Sequence, residues 1–215
     1  DINGDIRVEG WDSNEVQVTW VITCDEEEEL EEVTVISDIE NGLSFSVDYS
    51  DEITDEHHGS VDFSIMVPSE IPMEYSLENV NGLIQVAGGS GNASISLVNG
   101  EIEVSDFAGD VAVEAVNADI QTGNIAGLKS VEIVNGTVEI SSDSIDDDLC
   151  VESVNADVSV IMNNELIFDL ETLSGEISLP DIYRSALVEN LVGTSAGIGS
   201  GDYLVEIATV NGDIS

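Results

Sequence analysis

The chain has 215 residues, and its 46 acidic side chains against three basic ones give a formal net charge of −43. This balance excludes ordinary binding to the phosphate backbone of nucleic acids, which needs Lys and Arg, and it disfavours contact with an anionic membrane surface. High salt makes such a surface tolerable, because the Debye length falls to about 3 Å at 1 M. A cell envelope in which divalent cations neutralise carboxylates has the same effect, and the sequence agrees with both environments.

The apolar residues favour β-structure. They make up 42% of the chain, mostly as Val and Ile, whereas aromatic residues make up 5%, and β-branched side chains pack well on a sheet surface. No apolar stretch approaches the roughly 18 residues that a membrane span needs. With a start at Asp1 that agrees with a processed or trimmed form, this predicts an extracellular protein of the cell surface or envelope, without direct membrane insertion. Asn92 and Asn135 each begin a glycosylation-type triplet.

Residues 1–79 open with a corner at Asn3-Gly4 and then follow a looser pattern. Alternation of apolar and polar residues over 16–22, 33–37 and 61–67 predicts further strands. We therefore expect wider, irregular first coils with strand excursions in this part, joined to the rest as one continuous domain.

Residues 80–215 repeat one phrase, in which an apolar residue precedes Asn-Gly or Asn-Ala and an acid often follows. From residue 81 onward the phrase recurs at steps of 18 to 20 residues. A fixed period of this size indicates stacked structural repeats. The residues expected at the corner are Asn3, Gly4, Asn81, Gly82, Asn99, Gly100, Asn117, Asn135, Gly136, Asn155, Gly175, Asn211 and Gly212.

Apolar residues stand at fixed positions around each corner: four and two before the central Asn, and three and five after it. Around Asn99 these are Ile95, Leu97, Ile102 and Val104, and the residues between them are polar. Each repeat is therefore two short alternating strands on either side of a corner, where Asn and Gly tolerate positive φ. The fold class predicted is all-β: a single parallel β-solenoid with coils of about 18–20 residues, in which equivalent residues stack about 4.8 Å apart.

These motifs carry a resemblance to a known family. The stretch Asp5 to Trp11, then Val61-Asp62-Phe63 leading to Met66-Val67-Pro68, and then the run of Val-Asn-Gly corners resemble the prokaryotic putative-adhesin β-helix family. The resemblance implies a β-helix and brings no catalytic residues. The acidity and the recurring phrase at both ends also resemble the amyloid-like sheath proteins of methanogenic archaea.

Acidic residues recur at one outward position, two residues after the corner Asn. Functionally this column would be a ladder that binds Ca²⁺ or other cations through oxygen ligands, and otherwise it is a solvated face. No confident metal site and no other cofactor is expected, and the acid run 25–32 and the pair His57-His58 favour solvated loops. The column consists of Asp5, Glu101, Asp119, Asp157, Glu176 and Asp213.

Cys24 and Cys150 are the only cysteines. An internal disulfide, a disulfide between subunits and free thiols all fit the sequence. Export favours a disulfide, and the outward position predicted for Cys150 favours one between subunits.

The sequence predicts a non-enzymatic protein, because it has no nucleophile elbow and no phosphate-binding glycine loop. Regular repeat sequence reaches both ends, so we expect uncapped solenoid ends that add strands from other copies, giving a head-to-tail ring or filament. The main hypothesis is thus a secreted, self-assembling structural protein of the cell envelope, of sheath or surface-layer type. The alternatives are a monomeric adhesin-like surface-binding module and, third, a polysaccharide-active β-helix.

Overall fold

A computed structural model describes residues 3–24, 33–38, 42–49, 59–163, 165–181, 187–190 and 193–215. The acid run 25–32 and the pair His57-His58 lie outside these ranges. Within them the chain is all-β and contains no helix, hence none that could span a membrane. The strands are β1 (Ile6–Trp11), β2 (Gln17–Thr23), β3 (Val33–Asp38), β4 (Ser44–Tyr49), β5 (Ser60–Pro68), β6 (Met73–Ala87), β7 (Ser90–Ser105), β8 (Ala108–Gly123), β9 (Gly127–Ser142), β10 (Leu149–Met162), β11 (Ile167–Ser174), β12 (Leu187–Asn190), β13 (Gly193–Gly199) and β14 (Leu204–Asn211).

The central strands form the predicted parallel β-solenoid. Strands β6 to β10 each run along two sides of a coil and through the corner between them, and each pairs in parallel with the next. The register aligns one corner with the next, so that Asn81, Asn99 and Asn117 lie level with one another. This confirms the fold class and the 18-residue period of these coils.

The core lies inside the coils at the predicted positions. Ile95, Leu97, Ile102 and Val104 are each at most 1% exposed. Alternation puts these branched side chains on the inner surface of both sides of the coil, and stacking places like residues on top of one another. Phe107 closes the short third side, where its ring meets Tyr75 edge-on at 5.4 Å between centroids.

The order of coils in the stack differs from their order in the chain. Strand β14 lies between β10 and β11 and pairs in parallel with both. Likewise β1 lies between β6 and β5 and pairs in parallel with both. The expectation that the first and last phrases form open ends is therefore wrong, because both are inside the stack.

Antiparallel strands stand at the two ends of the stack. At one end β2 pairs antiparallel with β5, and at the other β13 pairs antiparallel with β11 and with β12. The degenerate phrase around residue 193 thus starts an antiparallel strand instead of another coil; its Leu191 and Val192 lie outside the described ranges.

The N-terminal part is less regular, as predicted. Strands β3 and β4 form a separate antiparallel pair. Their apolar face packs on a small second core that contains Val33, Val61 and Phe63. Phe45 of β4 contacts both Trp20 and Phe63, with ring centroids at 6.0 and 6.3 Å.

Candidate functional site

An asparagine ladder runs along the solenoid at its main corner. In each step the Nδ2 of one Asn donates to the Oδ1 of the Asn below, at 2.7 to 2.9 Å. The stack is held here by side chains as well as by the backbone. The order of the ladder is Asn3, Asn81, Asn99, Asn117, Asn135, Asn155 and Asn211.

The ladder corrects the role expected for Asn at the corner. Positive φ is taken by the residue after it, with φ of +132° at Gly82 and +141° at Gly100, while the only non-glycine residues with positive φ in the described ranges are Asp106 and Asn124. Gly supplies the turn, and Asn supplies the hydrogen bond between coils. Gly4, Gly136, Gly175 and Gly212 stand at the same corner, each against the backbone of the neighbouring coil.

Serine takes the asparagine position at both ends of the ladder. Ser174 lies level with Asn211. The register between β1 and β5, counted back three residues from the pair Ile6 and Phe63, places Ser60 level with Asn3. A serine hydroxyl is too short to continue the amide ladder, so the ladder ends at these coils.

The predicted column of acids is brought together only in part. Leu83 and Thr137 interrupt it, and Thr137 donates to Asp119 Oδ1 at 2.7 Å. Asp157, Asp213 and Glu176 follow one another, but not as free ligands. The Asp213 N–H donates to Asp157 Oδ1 at 2.9 Å, and the Glu176 N–H donates to Asp213 Oδ1 at 2.8 Å.

Other acids of the column also bind backbone. Asp5 Oδ1 accepts the Leu83 N–H at 3.0 Å, while Glu101 lies level with Asp119. Among the residues that the structure describes, no group of three or more His, Cys, Asp or Glu is placed to hold a metal ion. Cation binding by this column stays a prediction.

A column of exposed apolar side chains, here called the valine stripe, runs beside the ladder. Its members precede the corner residue in each coil and point outward, because the residues on either side of them in the strand alternate inward. Contiguous exposed apolar surface of this kind marks interaction sites more often than scattered single residues do. The stripe and its exposed fractions are Val98 38%, Val116 41%, Val134 40%, Val154 42%, Val210 40% and Leu173 52%.

A shallow groove of about 570 Å³ follows the stripe across five strands, from β7 to β14. Its other wall is the outward column two residues earlier in each coil, which holds Glu114, Glu132 and Glu152. The register puts these three carboxylates directly above one another. At about 4.8 Å per step, the groove spans about 19 Å along the solenoid axis.

The basic residues that the structure describes are engaged elsewhere. Arg7 pairs with Asp5 at 2.6 Å, and Lys129 pairs with Asp147 and, at 3.4 Å, with Asp110. The hydrogen bond from Lys129 raises the pKa of its ammonium and lowers the pKa of Asp147. The acidic wall of the groove therefore faces solvent without help from either cation.

Cys150 lies beside the groove in the next outward column, level with Ser130 and Glu206. Burial raises the pKa of its thiol, and Glu152, Glu206 and Glu132 raise it further. Cys24 follows β2, seven strands away in the stack, about 34 Å at 4.8 Å per step. A disulfide requires Cα atoms within about 7 Å, so an internal disulfide is excluded, and a disulfide between subunits stays a prediction.

The two glycosylation-type asparagines use their side-chain nitrogens within the fold. Asn92 Nδ2 donates to Glu74 at 2.8 Å, and Asn135 Nδ2 donates to Asn117 at 2.8 Å. A glycan at either site would share the nitrogen that makes this bond.

The sequence analysis missed the groove, although the signal was present. The residue before the corner Asn is Val in most repeats, yet the alternation assigns it to the outside. An outward position that is Val again and again is the pattern that predicts the stripe.

Comparison with known proteins gives one distant structural likeness. No protein family matches the chain by sequence, and no curated protein matches it. A crystal structure described as a putative cell adhesion protein from Clostridium sporogenes is similar over 99% of this chain and 87% of its own, with 10% identity and a TM-score of 0.40. A likeness at this level leaves the function to be argued from the surface of this chain.

Proposed function

We propose that this protein is a non-catalytic, adhesin-like binding module of the cell surface, which attaches to a macromolecule through the groove beside the valine stripe. The observation that carries the proposal is the stripe itself: six apolar side chains between 38% and 52% exposed, stacked in one column. A solvated solenoid face gains nothing from such a column, whereas a binding face buries it.

The arrangement of the strand ends supports binding over end-to-end polymerisation. The first and last phrases are paired on both sides, and antiparallel strands stand at the ends of the stack. Antiparallel terminal strands do not reproduce the parallel pairing that a continuing solenoid needs.

An adhesion assay with coated beads tests the proposal. The chain would be biotinylated on an extension after the exposed Ser215, and bead attachment would be measured on films of basic protein, acidic protein, phospholipid and polysaccharide. The double variant Val116→Asp, Val134→Asp is expected to reduce attachment at least about tenfold, since two charges would have to be desolvated.

The matched control adds the same two charges at exposed apolar residues outside the groove, as Ile161→Asp, Ile167→Asp. It should attach like the unmodified chain, and equal melting temperatures would exclude misfolding. Attachment that is absent on every film, or equal for all three proteins, would refute the proposal.

Self-assembly into an envelope polymer is the second candidate. It is favoured by β2, which has a neighbour on one side only and whose Val21 is 62% exposed. Sedimentation velocity over a hundredfold range of protein concentration separates the two candidates. The binding module predicts a constant monomer, and assembly predicts growth with concentration that a Val21→Lys variant abolishes.

A further inference from the structure

We infer that the partner of the groove is a cationic, amphipathic α-helix of another polypeptide, which lies along the solenoid axis with its apolar ridge against the valine stripe. This inference rests on the proposed function and names the partner of the same site. It follows from the shape, the chemistry and the charge of the groove, taken in turn below.

The shape fits a helix better than a strand. The groove is a straight valley between two outward columns, and its floor is the backbone at Leu97, Ala115 and Ile133. Its apolar positions repeat about every 4.8 Å. Residues on one face of a helix recur at three- and four-residue spacings, about 4.5 and 6.0 Å apart, so about 13 residues follow the 19 Å groove. An extended strand presents side chains on one face only every 6.6–6.8 Å, which matches the valleys less well.

The charge of the groove requires cations from the partner. Glu114, Glu132 and Glu152 form a column of like charges along one wall. The stripe's other side leads over the asparagine ladder to the acids at Glu101 and Asp119. An apolar centre between two acidic margins is complementary to a helix with an apolar face and flanking Lys or Arg.

A second copy of this chain does not meet that requirement. The sequence has three basic residues. Two of them, Arg7 and Lys129, are paired with acids of their own chain, and Arg184 lies outside the described ranges. Two copies meeting at this groove would bring their carboxylates together, which costs binding energy.

The test uses a synthetic peptide as the probe. An amidated 15-residue Leu/Lys peptide with leucines spaced for one helix face would be titrated into the full chain by calorimetry at about 150 mM NaCl, next to a scrambled isomer of identical charge. The helical isomer is expected to bind at least about tenfold tighter and to gain helical circular dichroism on binding. Equal affinities would overturn the inference, because they would show attraction by charge alone.

Two matched pairs of substitutions locate the binding. Glu132→Gln, Glu152→Gln should weaken the helical peptide at least about fivefold and flatten the salt dependence, whereas Glu103→Gln, Glu139→Gln removes the same charge beyond the corner and should change affinity less than about twofold. Val116→Thr, Val134→Thr keeps β-branched side chains and should also weaken binding. Equal effects of the two glutamate pairs would overturn the inference.

The outcomes separate this inference from the proposed function. If bead attachment depends on Val116 and Val134 but the helical peptide neither binds nor competes, the groove is a binding site and the partner is wrong. If the stripe variants change neither attachment nor peptide binding, both fall. A concentration-dependent dimer that Val116→Asp abolishes would identify a second copy as the occupant and refute the cationic helix.

Discussion

Gly100 stands where two neighbouring coils leave no room for a side chain. Its φ is +141°, and an added Cβ would overlap the carbonyl of Gly82 in the coil below. Gly100→Ala should therefore lower the free energy of unfolding by about 3 kcal/mol, from backbone strain and overlap together. Gly123→Ala is the matched control, because the space around that residue is open, and it should change stability by less than about 1 kcal/mol. Urea midpoints measure both, and equal losses would contradict the crowding at the corner.

Asn117 uses both ends of its side-chain amide in the ladder. It donates to Asn99 at 2.9 Å and accepts from Asn135 at 2.8 Å. Asn117→Asp keeps the acceptor but sets two oxygens against each other, which should cost about 1–2 kcal/mol. Asn3→Asp adds the same charge at a residue whose ladder bond needs only an acceptor, so its cost should be less than half as large. The difference should persist at high salt, since a lost hydrogen bond is not screened; a difference that vanishes in salt would point to charge alone.

Cys150 should react slowly for a half-exposed thiol. Burial and the surrounding glutamates raise its pKa, which lowers the fraction of reactive thiolate at pH 8. Glu152→Gln removes one of these charges, so the alkylation of Cys150 by iodoacetamide should accelerate about twofold or more. Glu139→Gln has the same change of net charge on another face and should leave the rate unaltered. Rates read from the Cys150 peptide by mass spectrometry decide this, and an unchanged rate in Glu152→Gln would contradict it.

At the scale of elements, the sequence predicts what each coil does but not which coil it touches. The apolar positions around Asn99 specify the inward faces, and these residues are buried. Almost the same pattern surrounds Asn155, Ser174 and Asn211. Any of these coils could therefore stack on any other, so that hydrophobic patterning alone leaves the order of the stack undetermined.

Polar residues at the corner carry the missing information. The ladder passes from Asn155 to Asn211 and ends at Ser174. The acids add to this, because Asp157 accepts a backbone N–H from Asp213, a bond between coils that are 56 residues apart. The serine at 174 was visible in the sequence as a departure from the phrase, and its meaning depends on a hydrogen bond that only the stacked structure shows.

Strand β14 should be protected like an inner strand of the stack. Ile207 pairs with Val151 on one side and with Leu170 on the other. A strand with two neighbours has its amides bonded on both sides, whereas a strand at an edge leaves half of them to solvent. Hydrogen exchange should find the amides of residues 205–209 as slow as those of residues 111–115 in β8. Rapid exchange at alternate residues of β14 would show an edge strand and contradict the insertion.

The edge strand β2 is the internal control for that exchange experiment. It pairs only with β5 through residues 17–23. Its alternate amides should therefore exchange faster than those of β14, although both strands are close in length. Similar protection of the two strands would mean that another chain covers β2, which is the outcome expected of the polymer.

At the scale of the whole molecule, charge opposes the compact state. A net charge of −43 is spread over a chain of 215 residues, and its described cations, Arg7 and Lys129, are each held by nearby acids. Self-repulsion on this scale weakens as salt shortens the Debye length from about 30 Å at 0.01 M to about 3 Å at 1 M. Raising NaCl over this range should therefore stabilise the fold by about 2 kcal/mol or more, which corresponds to roughly 4–8 °C in melting temperature.

A charge-reduced variant shows whether the salt acts on carboxylates. Replacing Glu103, Glu114, Glu132 and Glu139 by Gln removes four charges without touching the core or the asparagine ladder. Its melting temperature at 0.01 M NaCl should lie above that of the unmodified chain, and the two should converge at 1 M, because screening removes the repulsion that the substitutions relieve. Parallel curves at all salt concentrations would instead assign the salt effect to stronger hydrophobic burial, which acts on both chains alike. Calorimetric scans at constant pH measure both curves, and they separate the two causes without any assumption about the partner of the groove.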